Sequence, residues 1–222
     1  MRGVEREEAM YSHKTVKHIL EAAIDSLIDN FAREPYIHRC EHSIHCELYN
    51  MLNVHRALQG LYRLKGHRRR STTLIHKEWP ETNARPEKQG RRGNFDLAIL
   101  DPKRITKHTV EDFTAGRIRP AFVIEIGLNY GLDHLRDDDR KLKNSGCRDG
   151  YLLHLWQPHK AIPDADLREL QEWCSGKSNV AAVVFTNSGV LIKRLKDAAL
   201  TLEERGDPTP NNLLRRRPKG RA

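Results

Sequence analysis

Cysteine is scarce: Cys40, Cys46, Cys147 and Cys174 are the four in 222 residues. They are too few and too scattered to staple a fold, which excludes a disulfide scaffold and suits a reducing compartment. Long apolar runs are missing as well. None approaches the roughly 20 residues of a membrane span. Residues 1–11 are charged and lack the apolar stretch of a signal peptide. These absences lead us to expect a cytoplasmic protein with no membrane partner. No glycine-rich phosphate loop occurs, so a nucleotide-driven motor is not expected. G-x-S-x-G is absent too, which argues against a common serine hydrolase. The apolar fraction is low at 38% and the charged fraction high at 31%. The length is nevertheless ample for one core without staples.

What the chain does have is positive charge. The net charge is +9, and such an excess favours polyanions, of which nucleic acid is the commonest. The charge is clustered. Residues 65–70 read KGHRRR, Arg91 and Arg92 precede an expected strand, and residues 215–221 read RRRPKGR. Arg68, Arg69, Arg70, Arg91 and Arg92 are therefore candidate phosphate contacts, which carry affinity without sequence specificity.

Periodicity organises the rest. Val16, Ile19, Leu20, Ala23, Leu27 and Phe31 recur at helical spacing and predict a helix over 14–32. A second helix is expected over 40–58. Short β-branched or apolar runs predict strands at 72–79, 95–100, 121–126, 151–156, 180–185 and 190–192. Helices are expected over 132–143 and 164–173, the latter with Asp164 as a cap. Residues 81–93 read as a loop. The expected organisation is a flexible segment at 1–12, one domain over 13–205 and a basic disordered tail at 206–222. The order predicts an α/β fold, a mixed sheet with helices on its faces.

Two acids lie on apolar strands. In Phe95-Asp96-Leu97-Ala98, Asp96 shares a face with Ala98; in Val123-Ile124-Glu125-Ile126, Glu125 shares a face with Val123. A carboxylate in such a setting is costly unless it is paired, hydrogen-bonded or bound to a metal, and two together repel. A divalent cation resolves both costs, and oxygen ligands suit Mg²⁺ or Mn²⁺. A third acid, Glu47, lies on a stripe with Met51, Val54 and Leu58 that points inward from the second helix.

Cys46-Glu47-Leu48, Gly93-Asn94-Phe95-Asp96-Leu97 and Phe122-Val123-Ile124-Glu125-Ile126-Gly127 together resemble the PD-(D/E)XK phosphodiesterase superfamily. The resemblance covers about residues 40–185. It implies a restriction-endonuclease-like core of order αβββαβ, in which Asp96, Glu125 and the backbone carbonyl of Ile126 hold Mg²⁺ or Mn²⁺. It implies hydrolysis of a nucleic-acid phosphodiester, DNA being the expected substrate, with Glu47 assisting. Cutting both strands of a duplex is commonly shared between two copies, so a homodimer is an expected partner. One residue departs from the pattern: Gly127 stands where the family has its lysine. Some members take that lysine from the following helix, which makes Lys141 the leading candidate, with Lys143 second and Lys77 a further one. Glu78 is a weaker candidate acid.

Two other readings follow from the same residues. Without a lysine in reach, the domain would bind DNA without cutting it. His38, Cys40, His42, His45 and Cys46 crowd the start of the second helix, and a structural or regulatory zinc there would make the chain a zinc-binding regulator.

Overall fold

The computed structural model describes residues 11–85, 89–160 and 162–203. The basic run at 215–221, the tail expected to be disordered and residues 1–10 lie outside them. The chain is α/β, with a mixed seven-stranded sheet flanked by helices.

Helices α1 (His13–Arg33) and α2 (Glu41–Asn53) come first, then a 3₁₀ turn (Arg56–Leu58) and a small hairpin, β1 (Tyr62–Arg63) and β2 (Ser71–Thr72). Strands β3 (Ile75–Pro80) and β4 (Asn94–Ile99) follow, with two short helices, α3 (Pro102–Ile105) and α4 (Val110–Thr114). The remainder is β5 (Phe122–Leu128), α5 (Leu132–Asn144), β6 (Asp149–Leu155), α6 (Asp164–Cys174), β7 (Val180–Thr186), β8 (Gly189–Lys193) and β9 (Thr201–Glu203).

The long elements fall where periodicity places them. The misses are short pieces, too short for a period to repeat often enough to stand out: the β1–β2 hairpin, α3, α4 and β9. The second helix stops at Asn53 rather than running to 58, and Val54 is 72% exposed. Asp164 is the first residue of α6 rather than its cap, a place taken by Pro163.

In sheet order the strands run from β3 to β9 as numbered. The first three are antiparallel, β5, β6 and β7 are parallel, and β8 and β9 return antiparallel. All seven residues of β5 are buried, as expected of a parallel strand covered on both faces. Burying each large apolar side chain contributes roughly 1.5–3 kcal/mol, so Phe122, Val123, Ile124 and Ile126 hold the strand firmly enough to carry Glu125 inward.

Helix α1 packs on one face: the His13 ring stacks on Phe122 at 4.5 Å, and the Tyr151 hydroxyl donates to Glu21 over 3.0 Å. Helix α5 covers the other, where Leu142 lies over Gly150 beside Val123, and Arg136 of α5 pairs with Glu169 of α6. Past the ends of β5 and β6 a side-chain clamp holds the two strands together. Asn129 Nδ2 donates to Gln157 Oε1 at 2.7 Å, and the Gln157 backbone donates to Asn129 Oδ1 at 2.8 Å.

The ladders on the two sides of β4 change at Asp96. Pairing with β5 stops at Leu97 opposite Ile124, and pairing with β3 skips from Lys77–Leu97 to Trp79–Phe95. The residue skipped is Glu78, a non-glycine at φ 53°, in a region L residues rarely occupy. Backbone pairing of β4 with β5 has therefore ended at its acid, while pairing with β3 passes over that one position and resumes at Phe95 and Asn94.

Candidate metal and catalytic site

Continuing the β4–β5 register by one step sets Asp96 opposite Glu125 on the same face. The next ladder bond is replaced by a side chain: the Ile126 backbone N–H donates to Asp96 Oδ2 over 2.7 Å. The part of Ile126 seen to engage the site is thus its amide, while the sequence reading assigned its carbonyl to a metal.

Glu125 is 1% exposed. Its Oε2 accepts from Lys141 Nζ at 2.6 Å, while its Oε1 is buried without a hydrogen-bond partner. Lys141 comes from α5 and also reaches Asp138 at 3.3 Å and the Asn94 carbonyl at 3.3 Å. Of the lysines considered from sequence, Lys141 is the one that enters. Lys143 pairs with Asp139, and Lys77 donates to Cys46 Sγ.

Gly127 explains why the lysine arrives from a helix. It is the register partner of His154 on β6, and a Cβ at Gly127 would meet the His154 ring at 2.7 Å. The imidazole occupies the space a side chain from β5 would need.

From the other side α2 contributes Glu41 and His45. His45 Nε2 lies 3.6 Å from Asp96 Oδ2 and 3.7 Å from Glu41 Oε1. Ligand atoms of Glu41, His45 and Asp96 all fall within 4.8 Å of one another. Glu47, the acid expected from this helix, is engaged elsewhere: His38 Nε2 is 2.6 Å from its carboxylate, and Asn30 donates to it at 3.2 Å. The sequence reading took the wrong phase. The buried stripe is Ile44, His45, Leu48 and Leu52, which turns Glu41 inward and Glu47 toward α1.

Charge explains the poise of these groups. Burial pushes the Asp96 carboxyl up to about 7, against the pull of the Ile126 N–H and Lys141. Burial, then the Asp96 charge, raises Glu125 well above the usual carboxylate range. Burial also raises Glu41. It lowers His45 to about 4, with Lys77 adding to the effect. For Lys141 burial works against the charge, but Glu125 and Asp138 outweigh it and raise the pKa. Glu125, Asp138 and Asp96 thus all act on the one ammonium of Lys141.

Glu41 Oε2, His45 Nδ1 and Nε2, and Glu125 Oε1 are buried and lack hydrogen-bond partners. Buried polar groups without partners are rare and costly. The carboxylate oxygens of Glu41 and Asp96 beside the neutral imidazole of His45 are a donor set that fits a divalent cation.

The remaining candidates separate. Arg91 is exposed, just ahead of β4 at the carboxylate end of the sheet. Arg92, also exposed, is tied down by donating to the carbonyls of Ala115 at 2.6 Å, Gly116 at 3.2 Å and Glu81 at 3.4 Å. Arg68, Arg69 and Arg70 are exposed between β1 and β2. That hairpin feeds the start of β3, which pairs with the far end of β4, so the run lies away from the carboxylates. The five-residue zinc cluster expected from sequence does not assemble as a whole. His38 turns to Glu47, Cys40 and Cys46 are exposed, and the metal-ligand groupings among the described residues contain no cysteine. Glu78 does come near His42 and His45.

No protein-family model, curated protein or solved structure matched the chain. The described residues contain no helix long and apolar enough to cross a membrane.

Proposed function

We propose that this chain is a metal-dependent nuclease of the PD-(D/E)XK type, acting on nucleic-acid phosphodiesters, DNA first among them, in the cytoplasm. The observation that carries this reading is Lys141 of α5 set 2.6 Å from Glu125, with Asp96 as the neighbouring acid on β4. The element order supports it: a helix, an antiparallel β3–β4–β5 meander, α5, and β6 parallel to β5.

In this reading Asp96 and the unpartnered Oε1 of Glu125 would hold the cation, with His45 and Glu41 beside it. A divalent ion there supplies Lewis acidity to the phosphoryl oxygen and lowers the pKa of a bound water. Each side chain has its own task. The Ile126 N–H fixes the rotation of Asp96. Lys141 orients the attacking water and offsets negative charge as it develops on the phosphate. His45, neutral near pH 7, adds a nitrogen ligand that favours Mn²⁺ over Mg²⁺. Arg91 meets the nucleic-acid backbone next to the site, and Arg68 to Arg70 contact it further out or face a second copy of the chain bound to the same duplex.

The competing reading, a DNA-binding module that does not cut, rested on the glycine at 127. Lys141 beside Glu125 supports the cutting reading instead. The test is incubation of the chain with plasmid, linear and branched DNA, and with RNA, plus Mn²⁺ or Mg²⁺. We expect metal-dependent nicking that Asp96→Asn and Lys141→Met each abolish. Retention of DNA without cleavage would favour the binding module, and cleavage unchanged in Asp96→Asn would remove the site from the chemistry.

A further inference from the structure

We propose that His134, Asp138 and His154 form a second metal site, of a different ligand class, that takes a first-row transition ion such as Zn²⁺. It does not depend on the nuclease reading.

His134 and Asp138 are one turn apart on α5, so they share a helix face, and His134 Nδ1 lies 3.0 Å from Asp138 Oδ2. His154 approaches from β6, and ligand atoms of the three residues all lie within 4.8 Å of one another. His154 is 0% exposed, and neither of its ring nitrogens has a hydrogen-bond partner. A histidine kept for packing alone would leave a donor and an acceptor stranded in the core, whereas a bound ion would engage one of them. Asp138 is 2% exposed, and a buried carboxylate beside two imidazoles completes the set.

The surroundings are shaped for these rings. Gly127 leaves the room that the His154 ring fills. Trp156 holds that ring from one side at 5.0 Å between centroids, and Tyr130 stacks on His134 at 4.1 Å and 11°. The His134 side chain is 42% exposed, which gives an ion a way in. Two imidazoles and one carboxylate with an open fourth position match zinc chemistry. Mg²⁺, which prefers oxygen ligands, is not expected here. Asp138 is also 3.3 Å from Lys141, so the site abuts the first without sharing Asp96 or Glu125.

The test uses the full chain carrying Asp96→Asn, which weakens the first site, stripped with chelator and titrated with Co²⁺ as an optical stand-in for Zn²⁺. We expect one Co²⁺ bound, with visible bands of a four-coordinate nitrogen-ligated ion that Zn²⁺ displaces. Adding His134→Ala should weaken binding by about tenfold or more, since loss even of outer-shell partners commonly has that effect; His42→Ala should leave it unchanged. His134 is on the surface of α5, so its variant tests the site even where His154→Ala fails to fold. Equal Co²⁺ affinity with and without His134, loss of binding in His42→Ala, or no Co²⁺ bound at micromolar concentrations would each overturn the proposal.

Discussion

The two ends of the parallel strands treat buried charge in opposite ways. Where β6 and β7 begin, Asp149 receives Lys17 Nζ at 2.7 Å and His13 Nε2 at 2.8 Å. The ammonium of Lys193, 0% exposed, donates to the carbonyls of Lys177 at 2.8 Å and Val180 at 3.0 Å. Where β5 and β6 end, Glu41, His45, Glu125 and His154 keep buried polar atoms without partners. At the first end the chain answers its own charges. At the second it leaves them open, and this is the end at which open α/β sheets commonly bind ligands. Burial of charge alone therefore marks nothing; burial with the partner missing does.

The largest expected effect separates the ends by activity. Asp96→Asn or Lys141→Met should lower cleavage by about 10²–10³-fold or more, the usual scale for removing one preorganised charge or donor, while Asp149→Asn should leave the rate per folded molecule intact. Single-turnover assays with Mn²⁺ read this directly.

Stability should divide the ends the other way. For Asp149, burial raises the carboxyl, but Lys17 and His13 outweigh it and hold the pKa below the ordinary value. Its contribution is present above the unfolded pKa and fades as pH falls through the folded one. Asp149→Asn should thus cost about 1.5–3 kcal/mol at pH 7, the scale of a hydrogen bond to a charge. Asp96 has the reverse sign. With its folded pKa raised to about 7, its contribution is present at low pH and is lost as pH climbs from roughly 4 to 7. In chelator-treated protein at pH 8, Asp96→Asn should therefore raise the melting temperature. Equal slopes of melting temperature against pH for the two variants would collapse the distinction.

Gly127→Ala sharpens the comparison at one residue. The added methyl meets the His154 ring, so denaturant unfolding should show a loss of about 1–3 kcal/mol. The smallest effect is expected at Glu78, held at φ 53° where β3 pulls away from Asp96. Glu78→Gly should stabilise the fold by up to about 1 kcal/mol; destabilisation there would mean the kink carries no strain.

Much of this site was legible in the sequence. Asp96 and Glu125 stand out because carboxylates interrupt apolar strands, and alternation puts each on a definite face. Lys141 follows from asking which helix could replace Gly127. Glu41 was missed, and His45 was read only as a zinc ligand, because helix phase was read from Met51, Val54 and Leu58; the helix ends at Asn53, so Val54 and Leu58 do not define its buried stripe. His154 gave no signal, since one histidine in Leu-His-Leu looks like any strand residue until the space over Gly127 is seen. Arg92 looked like its neighbour Arg91, and only the fold shows three carbonyls holding it.

The most direct test of the account is the anomalous difference map of a crystal soaked in Mn²⁺. We expect a peak bound to the Asp96 carboxylate at a distance of roughly 2.0–2.3 Å, typical of hard cations on oxygen, with Glu125 Oε1 turned toward it. A saturated soak that leaves Asp96 bare, with ordered waters satisfying Glu125 and His45, would contradict it.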